Sequence, residues 1–151
     1  MVDAFMKILL LLSLIISAFN TGLIWLVQLV HYPGFAKIGA EAYRGYQEFH
    51  MRSISWIVGP NMFSELALTA FGFFYWQQLP HKSLYVIAAG LVLIIWINTA
   101  FWAVPSHTTL VQNGQDQALI SRLVHINWWR TISWTIRTCL LAFIVYDLTK
   151  P

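Results

Sequence analysis

Glu65 is the acidic side chain to start from. It lies about 11 residues inside a long apolar run of the sequence, with no other acidic residue in that run. A carboxylate at such depth in a bilayer costs several kcal/mol or more unless it is protonated, paired or solvated. Two chemistries follow. Glu65 could accept or relay a proton for a bound molecule, with Arg130 holding an anionic or carbonyl oxygen of that molecule. Alternatively, Glu65 and Arg137 could form a buried ion pair that fixes helix packing. Asn127, Arg130, Trp134, Arg137 and Thr138 fall on one helical face. In the first apolar run, Ser13, Ser17, Asn20, Gln28 and His31 fall in a stripe roughly 80° wide. Asn61 and Glu65 share a face of the second run, and the third adds Asn98. The expected binding set is therefore Asn20, Gln28, Asn61, Asn98, Asn127, Trp128 and Arg137, around Glu65 and Arg130 as catalytic residues.

Histidines make a second layer. His31, His50, His107 and His125 flank the two long connections, and His81 lies opposite. Imidazole is the commonest metal ligand, so these four are the candidate ligands for a metal ion or a haem. Their spacing contains neither His-x-x-x-His nor Glu-x-x-His, and histidines bonded to headgroups or loop carbonyls are the plainer alternative. His50 and Glu65 are 15 residues apart, about 22 Å along one helix. They cannot ligate one ion, so the histidine and Asn/Glu/Arg layers are two sites, or the mouth and floor of one pocket.

The elements that position these residues follow from apolarity. Of the 151 residues 58% are hydrophobic and 10% charged, with mean hydropathy +0.63; soluble chains carry about 25% charged residues. Apolar runs cover Ile8–Val30, Ile54–Trp76, Leu84–Val104 and Trp128–Tyr146, the last within a crossing over 126–146. Each suits a hydrocarbon core about 30 Å thick, and lipid leaves helices as the form for such spans. The expected fold is all-α: a single domain over 1–151, a polytopic membrane four-helix bundle with helices two and four extended beyond the bilayer. The first run is read as a retained helix, since apolarity continues past Asn20 without a small-residue cleavage site. Pro33 and Pro105 are expected to end helices one and three. Arg52-Ser53-Ile54-Ser55-Trp56 is echoed by Arg130-Thr131-Ile132-Ser133-Trp134, which suggests a duplicated hairpin.

The charge of +3 is spread singly, which excludes a nucleic-acid stripe. Cys139 is the lone cysteine, which excludes internal disulfides and Cys-x-x-Cys chemistry. With an acid in helix two, Pro105 closing helix three and Asn127-Trp128-Trp129-Arg130-Thr131 opening helix four, the chain resembles the small bacterial membrane proteins grouped with the anthrone oxygenases. That resemblance implies a bacterial inner-membrane location and a pocket admitting, and oxidising, a planar aromatic or quinone-like molecule. The leading expectation is a site that binds or oxidises a small hydrophobic molecule within the bilayer, in a chain able to oligomerise. The alternatives are a proton or small-solute transporter and a non-enzymatic structural subunit or assembly factor. In the last case Glu65→Gln should preserve folding.

Overall fold

Helix breaks fall where the backbone leaves the helical region. Ile38 and Gly39 are extended (ψ 134° and 143°), His81 is left-handed at φ 46° and Gly114 has φ 84°. The computed structural model describes residues 4–148 and 150. Among them the breaks delimit four long helices: α1 (Ala4–Lys37), α2 (Ala40–Phe74), α3 (Lys82–Asn113) and α4 (Gln117–Asp147). The described residues contain no strand. Asp116 caps α4 by accepting from the Leu119 amide at 3.0 Å, a standard use of Asp at a helix N-terminus. Helices α1, α2 and α3 are long and apolar enough to cross a membrane.

Pro33 and Pro105 do not end their helices, contrary to expectation. Each is the second residue after a π-helical stretch, Val27–His31 in α1 and Thr99–Ala103 in α3, and helical structure continues to Lys37 and Asn113. A π stretch widens the hydrogen-bond ladder to i→i+5. Each proline then stands in the first turn of a new register, where its missing N–H breaks no bond. Helices α1 and α3 thus share one device at matching places. The echoed segments of α2 and α4, however, lie in opposite environments: Trp56 is 78% exposed and Trp134 2%.

The reason is the packing order. Helix α4 runs along both α1 and α3, and α1 also runs along α2. Helix α2 meets α3 mainly at its last segment, Val104–Asn113, and far less along Lys82–Asn98. At that outer end Arg44 donates to the Val111 and Gln112 carbonyls, and Gln115 reaches the Ile38 carbonyl at 2.8 Å. At the opposite end Tyr85 donates to the Thr69 carbonyl at 2.9 Å and lies over Gly72, where a Cβ would come within 2.0 Å of its hydroxyl. Between these two ties, α2 and α3 separate and leave a cleft.

Burial is inverted relative to a water-soluble domain. Ser13, Ser17, Asn20, Gln28, Glu65, Arg130 and Arg137 are inside, whereas Phe74, Phe101 and Trp129 are exposed. Two apolar clusters, one around Phe35 and Trp134 and one around Met6, Tyr85 and Ile144, fill the two ends.

Candidate functional site

Glu65 and Arg137 meet directly. Arg137 Nε donates to Glu65 Oε1 at 2.9 Å, and both side chains are buried. Arg137 also donates to the Ala88 carbonyl at 2.7 Å and to Thr69 Oγ1 at 2.9 Å. Glu65 Oε2 accepts from Trp134 Nε1 at 2.9 Å and, more weakly, from Asn20 at 3.5 Å. All four helices contribute: Asn20 from α1, Glu65 and Thr69 from α2, Ala88 from α3, Trp134 and Arg137 from α4. A buried pair repays its desolvation only when further hydrogen bonds support it, and here every nitrogen of the guanidinium and both carboxylate oxygens are bonded. Both carboxylate oxygens accept from charged or buried donors, so the geometry favours a clamp over a free base. It also changes the expectation for Glu65→Gln, which would leave Arg137 buried without an anion.

About two turns from Arg137 on the same helix, Arg130 is in the opposite situation. It is buried, at 5% exposure. Its guanidinium carbon lies 5.4 Å from the Trp134 ring centroid, and Nη1 donates to Tyr32 Oη at 3.5 Å. Nε has no protein partner, and among the described residues no carboxylate pairs with it. An isolated buried cation is costly, and Arg130 has no carboxylate against it, unlike Arg137.

Three histidines gather beside it. His31 Nε2 and His50 Nδ1 are 2.8 Å apart; one must donate and the other accept, so at least one ring is neutral while the bond holds. The His50 and His107 ring centroids are 5.1 Å apart, and His107 Nε2 is bonded to Tyr32 Oη at 3.0 Å. Phe35 stands edge-on to all three rings. The expected metal centre does not follow. Facing nitrogens of His31 and His50 are taken by each other, His107 Nε2 is taken by Tyr32, and His125 is exposed on α4. Among the described residues no three His, Cys, Asp or Glu side chains are placed to hold a metal ion.

Two cavities converge on Arg130. A small one of about 20 Å³ is lined by Asn20, Tyr32, His50, Arg130 and Trp134 among others and does not reach Glu65. A second, of about 230 Å³, is the cleft between α2 and α3, lined by Val58, Met62, Phe63, Trp96, Thr99, His107 and Arg130 among others.

The other expected residues divide. Gln28 and Asn127 come together, but they serve each other: Asn127 Nδ2 donates to Gln28 Oε1 at 2.8 Å, Thr131 donates to the same oxygen at 3.2 Å, and Gln28 donates to the Val124 carbonyl at 3.1 Å. Asn61 does not join the site; it donates to the Ile57 carbonyl of its own helix at 2.7 Å. Trp128 packs edge-on against Trp25 on the outer surface. Asn98 lies on another side, in a groove of about 400 Å³ with Trp102, Ile126 and Trp129. Tyr32 and Trp96 were not expected in the site. Both sit among apolar neighbours in sequence, where an aromatic residue signals packing or a membrane interface; Tyr32 directly before Pro33 was the nearest thing to a signal.

No family model matches this chain, and neither a curated protein nor a solved structure is significantly similar to it.

Proposed function

We propose that the chain is a four-crossing, multi-pass membrane protein that binds a small hydrophobic molecule with an oxygen-bearing head. The molecule enters the α2–α3 cleft sideways from the acyl chains, and its head is held at Arg130. The observation that carries this is Arg130 itself: buried, cationic, without a carboxylate partner, and facing a cavity whose other walls are mostly apolar or aromatic. Ligand pockets combine just such walls with a few placed polar groups.

Crossing by α4 is supported by which of its residues face out. Its basic residues within 126–146, Arg130 and Arg137, are both buried, while Trp129, Ile132, Ile136 and Phe143 are exposed. The low hydropathy of α4 therefore comes from side chains that lipid would not meet. A quinone-like or aromatic ring as the apolar part agrees with the resemblance to the anthrone oxygenases. Histidines 31 and 50, joined by a hydrogen bond that begins on a half-buried ring and ends in the pocket, would exchange protons with the head.

The test is to purify the protein in mild detergent, extract it with organic solvent and identify what co-purifies, beside Arg130→Gln prepared identically. A lipid-like molecule retained by the native protein and lost from the variant is expected. Equal recovery from both, or from neither, overturns the assignment. A second reading, a helix bundle whose polar residues only bind helices together, is favoured by the Glu65–Arg137 clamp. It accounts for Glu65, Thr69, Trp134 and Arg137 but leaves Arg130 unexplained.

A further inference from the structure

Two buried polar atoms in the lining of the cleft are donors with nothing to accept from them. Arg130 Nε and Trp96 Nε1 are buried donors without a protein partner, and neither group can accept. Of the three hydroxyls in the lining, two place their protons within their own helices: Ser55 donates to the Met51 carbonyl at 2.6 Å and Thr99 to the Ile95 carbonyl at 2.8 Å. Tyr32 Oη already meets Arg130 Nη1 and His107 Nε2. Which of Tyr32 Oη and His107 Nε2 donates to the other depends on the histidine tautomer. His107 Nδ1 is another buried atom with no partner. No carboxylate lines the cleft. Its field is thus one uncompensated positive charge, and Arg130 Nε and Trp96 Nε1 are donors that lack an acceptor.

We infer that the cleft selects an amphiphile with an acidic oxygen head, a carboxylate or phosphate on a single apolar chain, over neutral alcohols, esters and amines. This rests on the lateral-binding assignment above. An anionic head supplies the charge that Arg130 lacks and accepts from Trp96 as well, whereas an alcohol or ester can accept but brings no charge and an ammonium brings a charge of the same sign. A cleft of about 230 Å³ holds roughly eight water-sized groups. That is enough for the head and the first carbons of a chain, the remainder passing between α2 and α3 beside Phe63 into lipid. Phe63 and Trp96, edge to face with centroids 5.0 Å apart, form the wall at which the chain would leave.

The experiment uses full-length protein in phosphatidylcholine nanodiscs. Competition against a spin-labelled stearic acid is measured for palmitic acid, hexadecyl phosphate, hexadecanol, methyl palmitate and a neutral isoprenyl naphthoquinone. Charge-assisted hydrogen bonds are about twice as strong as neutral ones, so the two acids should compete at least about tenfold better than the alcohol and the ester. The order of palmitic acid against hexadecyl phosphate then tells which head is preferred. In Arg130→Gln the advantage of the acids should vanish. Trp96→Phe, which keeps the ring and removes the N–H, should weaken the acids several-fold and leave the ester unchanged, and it serves where the Arg130 variant does not fold. Competition by the naphthoquinone, alcohol or ester equal to that of the acids overturns the acidic-head inference while leaving the lateral site standing. If the spin-labelled acid is not bound and none of the other molecules binds, both fall.

Discussion

Glu65→Gln removes a charge without removing volume. The amide oxygen can take over one of the bonds from Arg137 or Trp134, but the amide nitrogen then points a donor at the other. Arg137 remains 0% exposed, bonded to Thr69 and Ala88 and without an anion. Breaking a buried pair by removing one partner costs about 3–5 kcal/mol. The individual hydrogen bonds give a similar figure: within a membrane each is worth about 0.6 to 1.7 kcal/mol, and Glu65 accepts three. For a chain of this length each kcal/mol moves Tm by about 2–4 °C, so the variant should unfold on the order of 10 °C below the native protein. Thermal unfolding in one detergent, followed by circular dichroism, measures it. The double variant Glu65→Leu with Arg137→Met, which removes both charges, should recover more than half of the loss. A Glu65→Gln shift under about 3 °C, or a double variant as unstable as the two single changes added together, would refute the clamp.

Gly72→Ala should cost about 1–3 kcal/mol, since an added Cβ meets the buried Tyr85 hydroxyl at 2.0 Å; the same change in a Tyr85→Leu background should cost less, both read from Tm. Gln28→Leu leaves the amide of Asn127 and the hydroxyl of Thr131 without their shared acceptor and should lower stability by about 1–3 kcal/mol. At the opposite end of the fold, hydrogen bonds from Lys150 and then from His81 hold the Asp147 carboxyl below its usual range. A depressed carboxylate stabilises above its unfolded pKa and loses that contribution as pH falls through the folded one; because Asp147 is open to water, His81→Gln should leave Tm unchanged at neutral pH.

The sequence revealed most of the layering and part of the wiring. Apolar run lengths placed four helices, and the Glu65–Arg137 ion pair was one of the readings its depth allowed, beside a proton-accepting acid. His31, His50 and His107 gathered because the long connections bring their flanks together. Other assignments failed for definable reasons. A uniform 100° per residue cannot anticipate a π stretch, so the continuation of α1 and α3 through Pro33 and Pro105 was not visible. Asn61 and His125 were placed by residue type and by position along the chain. Asn61, however, satisfies itself on the Ile57 carbonyl, and His125 follows the outer face of α4. The repeat made Trp56 and Trp134 look equivalent, whereas packing put α4 between α1 and α3 and left α2 at one side. Which tryptophan is buried is therefore a tertiary fact, carried by no local pattern.

The account rests on α4 lying in lipid with its charged face turned inward, and Cys139 offers a probe of that. It is the single cysteine of the chain, two residues from Arg137 and exposed on the outer face. A nitroxide attached there, in protein reconstituted into liposomes, should collide freely with molecular oxygen and hardly at all with a water-soluble nickel chelate. Collision with the chelate at the level of an aqueous loop would mean that water bathes this face, and the membrane-embedded site would be contradicted.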